Sequence, residues 1–212
     1  MSRLESLRSL LDVVYPRAEE ANQRLRGANG RLFQYLSKTY PVISSTQLSG
    51  VLARDQDSSN FGTHFLILKF TGKSSILPLV ALEREVNRPA DLSIQVAVFR
   101  HSANGSPAAI GYRFEAPSGE GRHDYYHVQF VRRFRNPDRP LPQCPEWLPD
   151  KQPAIPVGAR DAVSLFLVLL ISLYGRTYIE GLVREEPKLR NLTANVRGLL
   201  GPRGTRPSGE RS

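Results

Sequence analysis

The stretch HDYYHVQF, residues 123–130, contains two of the chain's four histidines, four positions apart. On a helix this spacing places two histidines on one face, about 6 Å apart, where they can bind the same zinc ion. On a strand it separates them by about 13 Å. Tyrosine, valine and phenylalanine lie between and after the two histidines, and these residue types favour a strand. We therefore predict that His123 and His127 do not share a metal, and the sequence indicates no metal site and no cofactor.

Three strands with alternating apolar and polar residues are predicted around this stretch, at residues 92–101, 108–116 and 124–132. Glycine-bearing turns separate them, which indicates an antiparallel meander. When the apolar faces of the strands are matched, Tyr112 lies opposite Tyr126. The other face then carries the predicted ligand-binding side chains: Arg113, Glu115, His123, Tyr125, His127 and Gln129.

His127 is the central residue of this predicted surface. In the matched register it lies in mid-strand opposite Gly111, and a glycine there leaves room for a ligand to approach the sheet. Glu115 lies opposite His123 in the same register. One interpretation is a binding surface on which the His127 imidazole orients a polar ligand. The other is an ordinary polar sheet face turned toward water, with His127 exposed and replaceable.

The charge of the chain raises the question of nucleic acid. The net charge is +9, with 24 arginines and 5 lysines, and arginine suits planar contacts with phosphates and bases. The densest basic cluster is VRRFR, residues 131–135. Its arginines are the predicted nucleic-acid contacts: Arg132, Arg133 and Arg135. The alternative is that this cluster is a solvated strand exit and that the arginine excess reflects GC-rich codons.

The chain is predicted to form a single α+β domain, in which an antiparallel meander of five or six strands packs on N- and C-terminal helices. The predicted segments are a helical start at 1–41, the sheet at 43–134, a proline-rich loop at 135–158, C-terminal helices at 159–200 and a disordered basic tail at 201–212.

Within the predicted sheet, residues 46–54 and 63–71 are interpreted as strands that flank a polar turn. Residues 75–83 are ambiguous between an edge strand and a helical turn, because Pro78 lacks an N–H and argues against a central strand. In the N-terminal helical segment, an apolar stripe at 18–35 either packs on the chain's own sheet or forms a coiled-coil seam with a partner.

Composition excludes several classes of protein. The single cysteine, Cys144, excludes an internal disulfide framework and a cysteine-based zinc site, and it points to a reducing compartment. The longest apolar run, residues 162–174, has thirteen residues, whereas a membrane-spanning helix needs about twenty. We therefore expect a buried core helix at this run, and a cytoplasmic protein that has no membrane partner.

No motif in the chain names a reaction. The polar face and the composition favour a non-catalytic intracellular binding module that acts with a protein partner in a complex. Two alternatives stay open: a nucleic-acid-binding protein that uses the arginine-rich edge, and a hydrolase or transferase that uses Glu115, His123 or His127. A deep pocket walled by the polar face would favour the enzyme, and an open face would favour the module.

Overall fold

The computed structural model of the protein describes residues 3–54, 62–69, 76–85, 88–101, 106–117, 124–135, 139–143 and 153–200. The helices in these ranges are α1 Arg3–Thr39, α2 Ser45–Arg54, α3 Ala162–Tyr174, α4 Arg176–Glu185, a 3₁₀ helix Pro187–Leu192 and α5 Thr193–Leu200. The strands are β1 His64–Ile67, β2 Ile76–Glu85, β3 Arg88–His101, β4 Pro107–Glu115, β5 His127–Val131, β6 Arg133–Phe134, β7 Arg139–Pro140 and β8 Ile155–Pro156.

Six of the strands form one antiparallel sheet in the order β1-β2-β3-β4-β5-β8, and β6 and β7 form a separate short hairpin. Helices from both ends of the chain pack on the sheet. The predicted α+β class, with an antiparallel meander between N- and C-terminal helices, is therefore confirmed.

The sheet has a hydrophobic core on each of its two faces. On the first face, Val96 and Phe114 pack with the N-terminal half of α1 and with α3, α4 and α5. On the second face, Phe99 and Leu79 pack with the C-terminal half of α1, including the fully buried Leu36. The prediction of one apolar and one polar face is therefore wrong for β1 to β3. The physical reason is length: α1 has 37 residues, and a helix that rises about 1.5 Å per residue can cover both faces.

A side chain in the middle of α1 completes the hydrogen bonding of β1. The buried Asn22 donates from Nδ2 to the carbonyls of Ile67, at 3.0 Å, and of Leu68, at 2.6 Å. The Leu68 N–H donates to the Pro78 carbonyl at 3.1 Å. In a hydrogen-bonded antiparallel pair, a second bond normally runs from the N–H of the opposite residue back to the carbonyl of the first. Pro78 has no N–H and cannot donate this bond to the Leu68 carbonyl. Asn22 supplies the donor that Pro78 cannot, so a proline is tolerated in β2, between β1 and β3.

Residues 46–54 form a helix rather than the predicted strand. The Ser44 hydroxyl accepts from the Gln47 N–H at 3.2 Å, and the Gln47 side chain accepts from the Ser44 N–H at 2.7 Å. This reciprocal pair is a capping box, which starts a helix at α2. The fully buried Leu48 then anchors α2 to the core.

The two edge strands of the six-stranded sheet are short: β1 has four residues and β8 has two. Beside β1, Val42 pairs with Phe65 in a parallel bridge, and the Ile43 N–H donates to the Phe65 carbonyl at 3.1 Å. The Tyr15 hydroxyl donates in turn to the Ile43 carbonyl. Burial, with a smaller effect from a nearby carboxylate, raises the pKa of the Tyr15 phenol, so it stays a donor. At the other edge, β8 contributes two residues, and one of them is Pro156.

The C-terminal helices form a buried layer on the first face. Asp161 caps α3, because its side chain accepts from the Ser164 N–H at 2.8 Å. Leu165, Phe166 and Leu170 in α3 are fully buried. Over the described ranges, no helix is both long enough and apolar enough to cross a membrane.

The segment after β5 folds back over the second face of the sheet. Phe134 is fully buried, with ring centroids 5.5 Å from Tyr40 and 5.8 Å from Phe65. The buried Leu141 lies over Gly111, where an added Cβ would meet the Leu141 side chain and lie 2.6 Å from the Val131 carbonyl oxygen. The segment 135–158, predicted as a proline-rich loop, contains the short strand β7, which pairs with β6. The predicted space for a ligand above Gly111 is filled by the chain itself.

Asn22→Ala removes a donor from two buried carbonyls, and we expect it to lower the free energy of unfolding by roughly 1–3 kcal/mol. Pro78→Val restores an N–H at the position that Asn22 serves. The loss caused by Asn22→Ala should therefore be smaller in the Pro78→Val background, with a coupling energy of at least about 0.5 kcal/mol in a urea double-mutant cycle. If the two mutations change the free energy of unfolding in a strictly additive way, Asn22 does not take the place of the N–H that Pro78 lacks.

Gly111→Ala should lower the free energy of unfolding by about 1–3 kcal/mol, because the new methyl group meets a backbone carbonyl that cannot move aside. The matched control is Gly181→Ala in α4, where an added Cβ meets only a flexible Glu185 oxygen at 4.0 Å. This control should be neutral or stabilising by up to about 1 kcal/mol. Equal effects in thermal and urea melts would show that Gly111 is not closely packed.

Candidate functional site

The polar side chains of β4 and β5 converge on one carboxylate on the second face. Pairing of the strands places Glu115 opposite His127 and Arg113 opposite Gln129. Alternation along each strand directs all four side chains to the same face. Arg135, just after β6, reaches the same carboxylate. These five residues are called the Glu115 cluster below.

The Glu115 carboxylate is surrounded by cations and donors although only 9% of the residue is exposed. Its Oε2 lies 2.9 Å from Arg113 Nε and accepts a hydrogen bond from Gln129 Nε2 at 2.7 Å. The same oxygen lies 3.4 Å from His127 Nε2. Its Oε1 lies 3.2 Å from Arg135 Nη2. Such a set of partners is what a carboxylate withdrawn from water requires.

Two polar residues of β3 extend this polar region, and neither was singled out from the sequence. The fully buried Gln95 accepts from the Arg135 backbone N–H through Oε1 at 2.9 Å, which fixes the start of the segment after β6. Ser93 is also buried. Within the part of the chain that the structure describes, Ser93 Oγ and Gln95 Nε2 have no hydrogen-bond partner. The sequence does mark these two residues, because Ser93 and Gln95 are polar residues at alternate positions of an otherwise apolar strand.

His127 is buried, with 3% of the residue exposed, so the interpretation of an exposed, replaceable histidine is wrong, and it begins β5 rather than lying in mid-strand as predicted. Its Nδ1 lies 3.0 Å from the Tyr125 carbonyl, which can only accept, so Nδ1 carries a proton. Its Nε2 faces Glu115. Both ring nitrogens are thus directed at groups of the chain itself, and the imidazole is not placed to orient an external ligand.

The predicted register between β4 and β5 is wrong by four residues. Tyr112 pairs with Phe130 instead of Tyr126, and Glu115 pairs with His127 instead of His123. An even shift keeps every side chain on its face, so the predicted faces of the two strands are unchanged although the partners differ. Alternation alone therefore could not determine which histidine meets the carboxylate.

The remaining predicted site residues occupy different positions. Tyr125 is 39% exposed, and its ring lies 5.8 Å from the His127 ring, at an interplanar angle of 74°. His123 lies outside the described residues. Of the predicted nucleic-acid contacts, only Arg135 has its side chain in the Glu115 cluster, while Arg133 is exposed and Arg132 is half-buried. That any of these residues binds a ligand stays a prediction.

The surroundings of Glu115 and His127 do not favour a cation. Two guanidinium groups share the site, and their charge opposes a metal ion beside the same carboxylate. Over the described ranges, no three histidine, cysteine, aspartate or glutamate side chains come together as metal ligands.

A cavity of about 280 Å³ lies away from the cluster, between α1 and residues 42–47. Its lining residues, among them Tyr15, Glu19 and Phe33, do not include any member of the Glu115 cluster. This cavity is therefore not the deep pocket, walled by the polar face, that would favour an enzyme.

Comparison with known proteins does not supply a family. No family model, no curated protein and no solved structure matches the chain. The geometry of the described residues is therefore the basis for any functional conclusion.

Glu115→Gln keeps the shape of the side chain but removes the charge that two guanidinium groups share. Because breaking a buried ion pair leaves uncompensated charge, we expect the free energy of unfolding to fall by about 3–5 kcal/mol. The control is Glu180→Gln in α4, whose ion pair with Arg176 spans one helical turn at 2.8 Å and should contribute under about 1 kcal/mol. Similar losses for both variants in urea unfolding would mean that the cluster is no more than a surface pair.

Proposed function

We propose that the protein is a non-catalytic binding module that holds an anionic partner at the Glu115 cluster. The observation that carries this proposal is a charge imbalance. Among the described residues, the guanidinium groups of Arg113 and Arg135 lie against one carboxylate, so the charges of the Glu115 cluster itself sum to +1 even with neutral His127. A positive charge in a partly desolvated setting attracts an anion more strongly than the same charge in open water.

Arg135 is the part of the cluster that a partner can reach. Its side chain is 54% exposed, whereas the side chains of Arg113 and Glu115 are 17% and 12% exposed. A guanidinium has five N–H donors in a planar fork that matches a carboxylate or a phosphate. Contact with Glu115 holds this fork in place, and the Gln95 hydrogen bond holds its backbone. A donor that is already oriented loses less entropy when it binds.

The same geometry argues against the hydrolase and transferase alternatives. A general base must lie within hydrogen-bond reach of the proton that it removes from a substrate. Both nitrogens of the buried His127 face the chain itself. The Glu115 carboxylate is likewise occupied by Arg113, Gln129 and Arg135, so its oxygens already accept from groups of the chain itself.

The test is binding of labelled inorganic polyphosphate, measured by fluorescence anisotropy at several salt concentrations. We expect salt-sensitive binding, because neutralised phosphates release counterions. Arg135→Glu should weaken it at least about tenfold, since charge-assisted hydrogen bonds contribute on the order of 1.5–3 kcal/mol.

The matched control is Arg184→Glu, on α4 and 79% exposed, which makes the same change in net charge elsewhere on the molecule. It should weaken binding much less than Arg135→Glu. Equal losses for the two variants would show that net charge, rather than the Glu115 cluster, attracts the anion, and absence of binding would exclude the proposal.

A further inference from the structure

We propose that the anionic partner is a single-stranded nucleic acid, with a base stacked on Tyr125 and a phosphate held by Arg135; this inference rests on the proposed function. Tyr125 is one of the few large apolar side chains that stay exposed among the described residues. It lies two residues before β5, near the buried end of the strand at His127. An exposed aromatic ring beside a basic group is the combination that single-strand binders use.

A series of contacts connects the aromatic ring to the guanidinium. The Tyr125 ring lies 5.8 Å from the His127 ring, His127 Nε2 lies 3.4 Å from the Glu115 carboxylate, and Glu115 lies 3.2 Å from Arg135. Each inner member of this series is buried. Tyr125 and Arg135 are therefore two exposed ends of one network whose inner members are buried.

The pair of exposed ends matches the chemistry of a nucleotide. A planar base needs an aromatic surface, and the adjoining phosphate needs a guanidinium. An acidic peptide would satisfy Arg135 but offers no planar group that could stack on the exposed part of the tyrosine ring. In a duplex the bases already stack on one another, so a stacking tyrosine selects single strands. Because every base has a stacking surface, we expect little sequence preference.

The experiment compares three probes by fluorescence anisotropy: an oligothymidylate of about twelve nucleotides, an abasic oligomer with the same number of phosphates, and an oligoglutamate of equal charge. The wild-type protein should bind the oligothymidylate at least about fivefold more tightly than the abasic oligomer, as expected for one stacked base. The oligoglutamate should bind no better than the abasic oligomer.

Four variants identify the contribution of the ring. Tyr125→Ala should abolish the preference for bases, so that the oligothymidylate binds no more tightly than the abasic oligomer, and Tyr125→Phe should retain the preference. Tyr178→Ala, at an exposed tyrosine of α4, is the control and should also retain it. Arg135→Glu should weaken all three probes alike.

The outcomes separate this inference from the proposed function. If the wild-type protein binds the oligothymidylate and the abasic oligomer equally well, and Arg135→Glu weakens both, base stacking is overturned while the proposed anion site is supported. Tighter binding of the oligoglutamate would assign the site to an acidic protein. If none of the probes binds, both the nucleic-acid inference and the anion site are overturned.

Discussion

The buried carboxylate of Glu115 is the interaction on which the outer half of the sheet depends. An ionised carboxyl group out of water is tolerated only when opposite charge and donors surround it. Those groups come from three segments: Arg113 from β4, His127 and Gln129 from β5, and Arg135 after β6. Each of the three segments contributes at least one cation or donor to the carboxylate. The contacts that join these segments also set the register of β4 and β5, so the strand pairing and the proposed anion site involve the same side chains.

A second polar contact ties the longest helix to the sheet and makes a two-faced core feasible. Asn22 lies between the half of α1 that packs on the first face and the half that packs on the second. Its amide satisfies two carbonyls at the end of β1, one of which faces a proline in β2. The helix is thus positioned by hydrogen bonding at its middle and by apolar packing at its ends. Leu36 covers the apolar part of the second face, and the polar part, among the described residues, comprises the Glu115 cluster with Ser93 and Gln95 of β3.

The sequence was sufficient for the strand alternation, the fold class and the faces of β4 and β5, because a period of two is a local property of the chain. It was not sufficient for the register, since any even shift preserves the faces, and His127 rather than His123 meets Glu115. Burial of His127 and the filling of the space above Gly111 depend on packing between distant segments, which no local pattern records. The helix at α2 was readable in principle, because the Ser44–Gln47 capping box is local.

The treatment of the sheet edges has a consequence for how a partner can approach. An unprotected edge strand is a template onto which a strand of another molecule can add, whether as a specific ligand or as an aggregate. Here one edge is occupied by Val42 and Ile43, and the other ends in a two-residue strand that contains Pro156. Backbone pairing is therefore obstructed where these segments lie, at Phe65 on one edge and at His127 and Val128 on the other. At those positions a strand of another molecule, or of a second copy of this protein, is hindered from adding to the sheet, which favours recognition by side chains across a face.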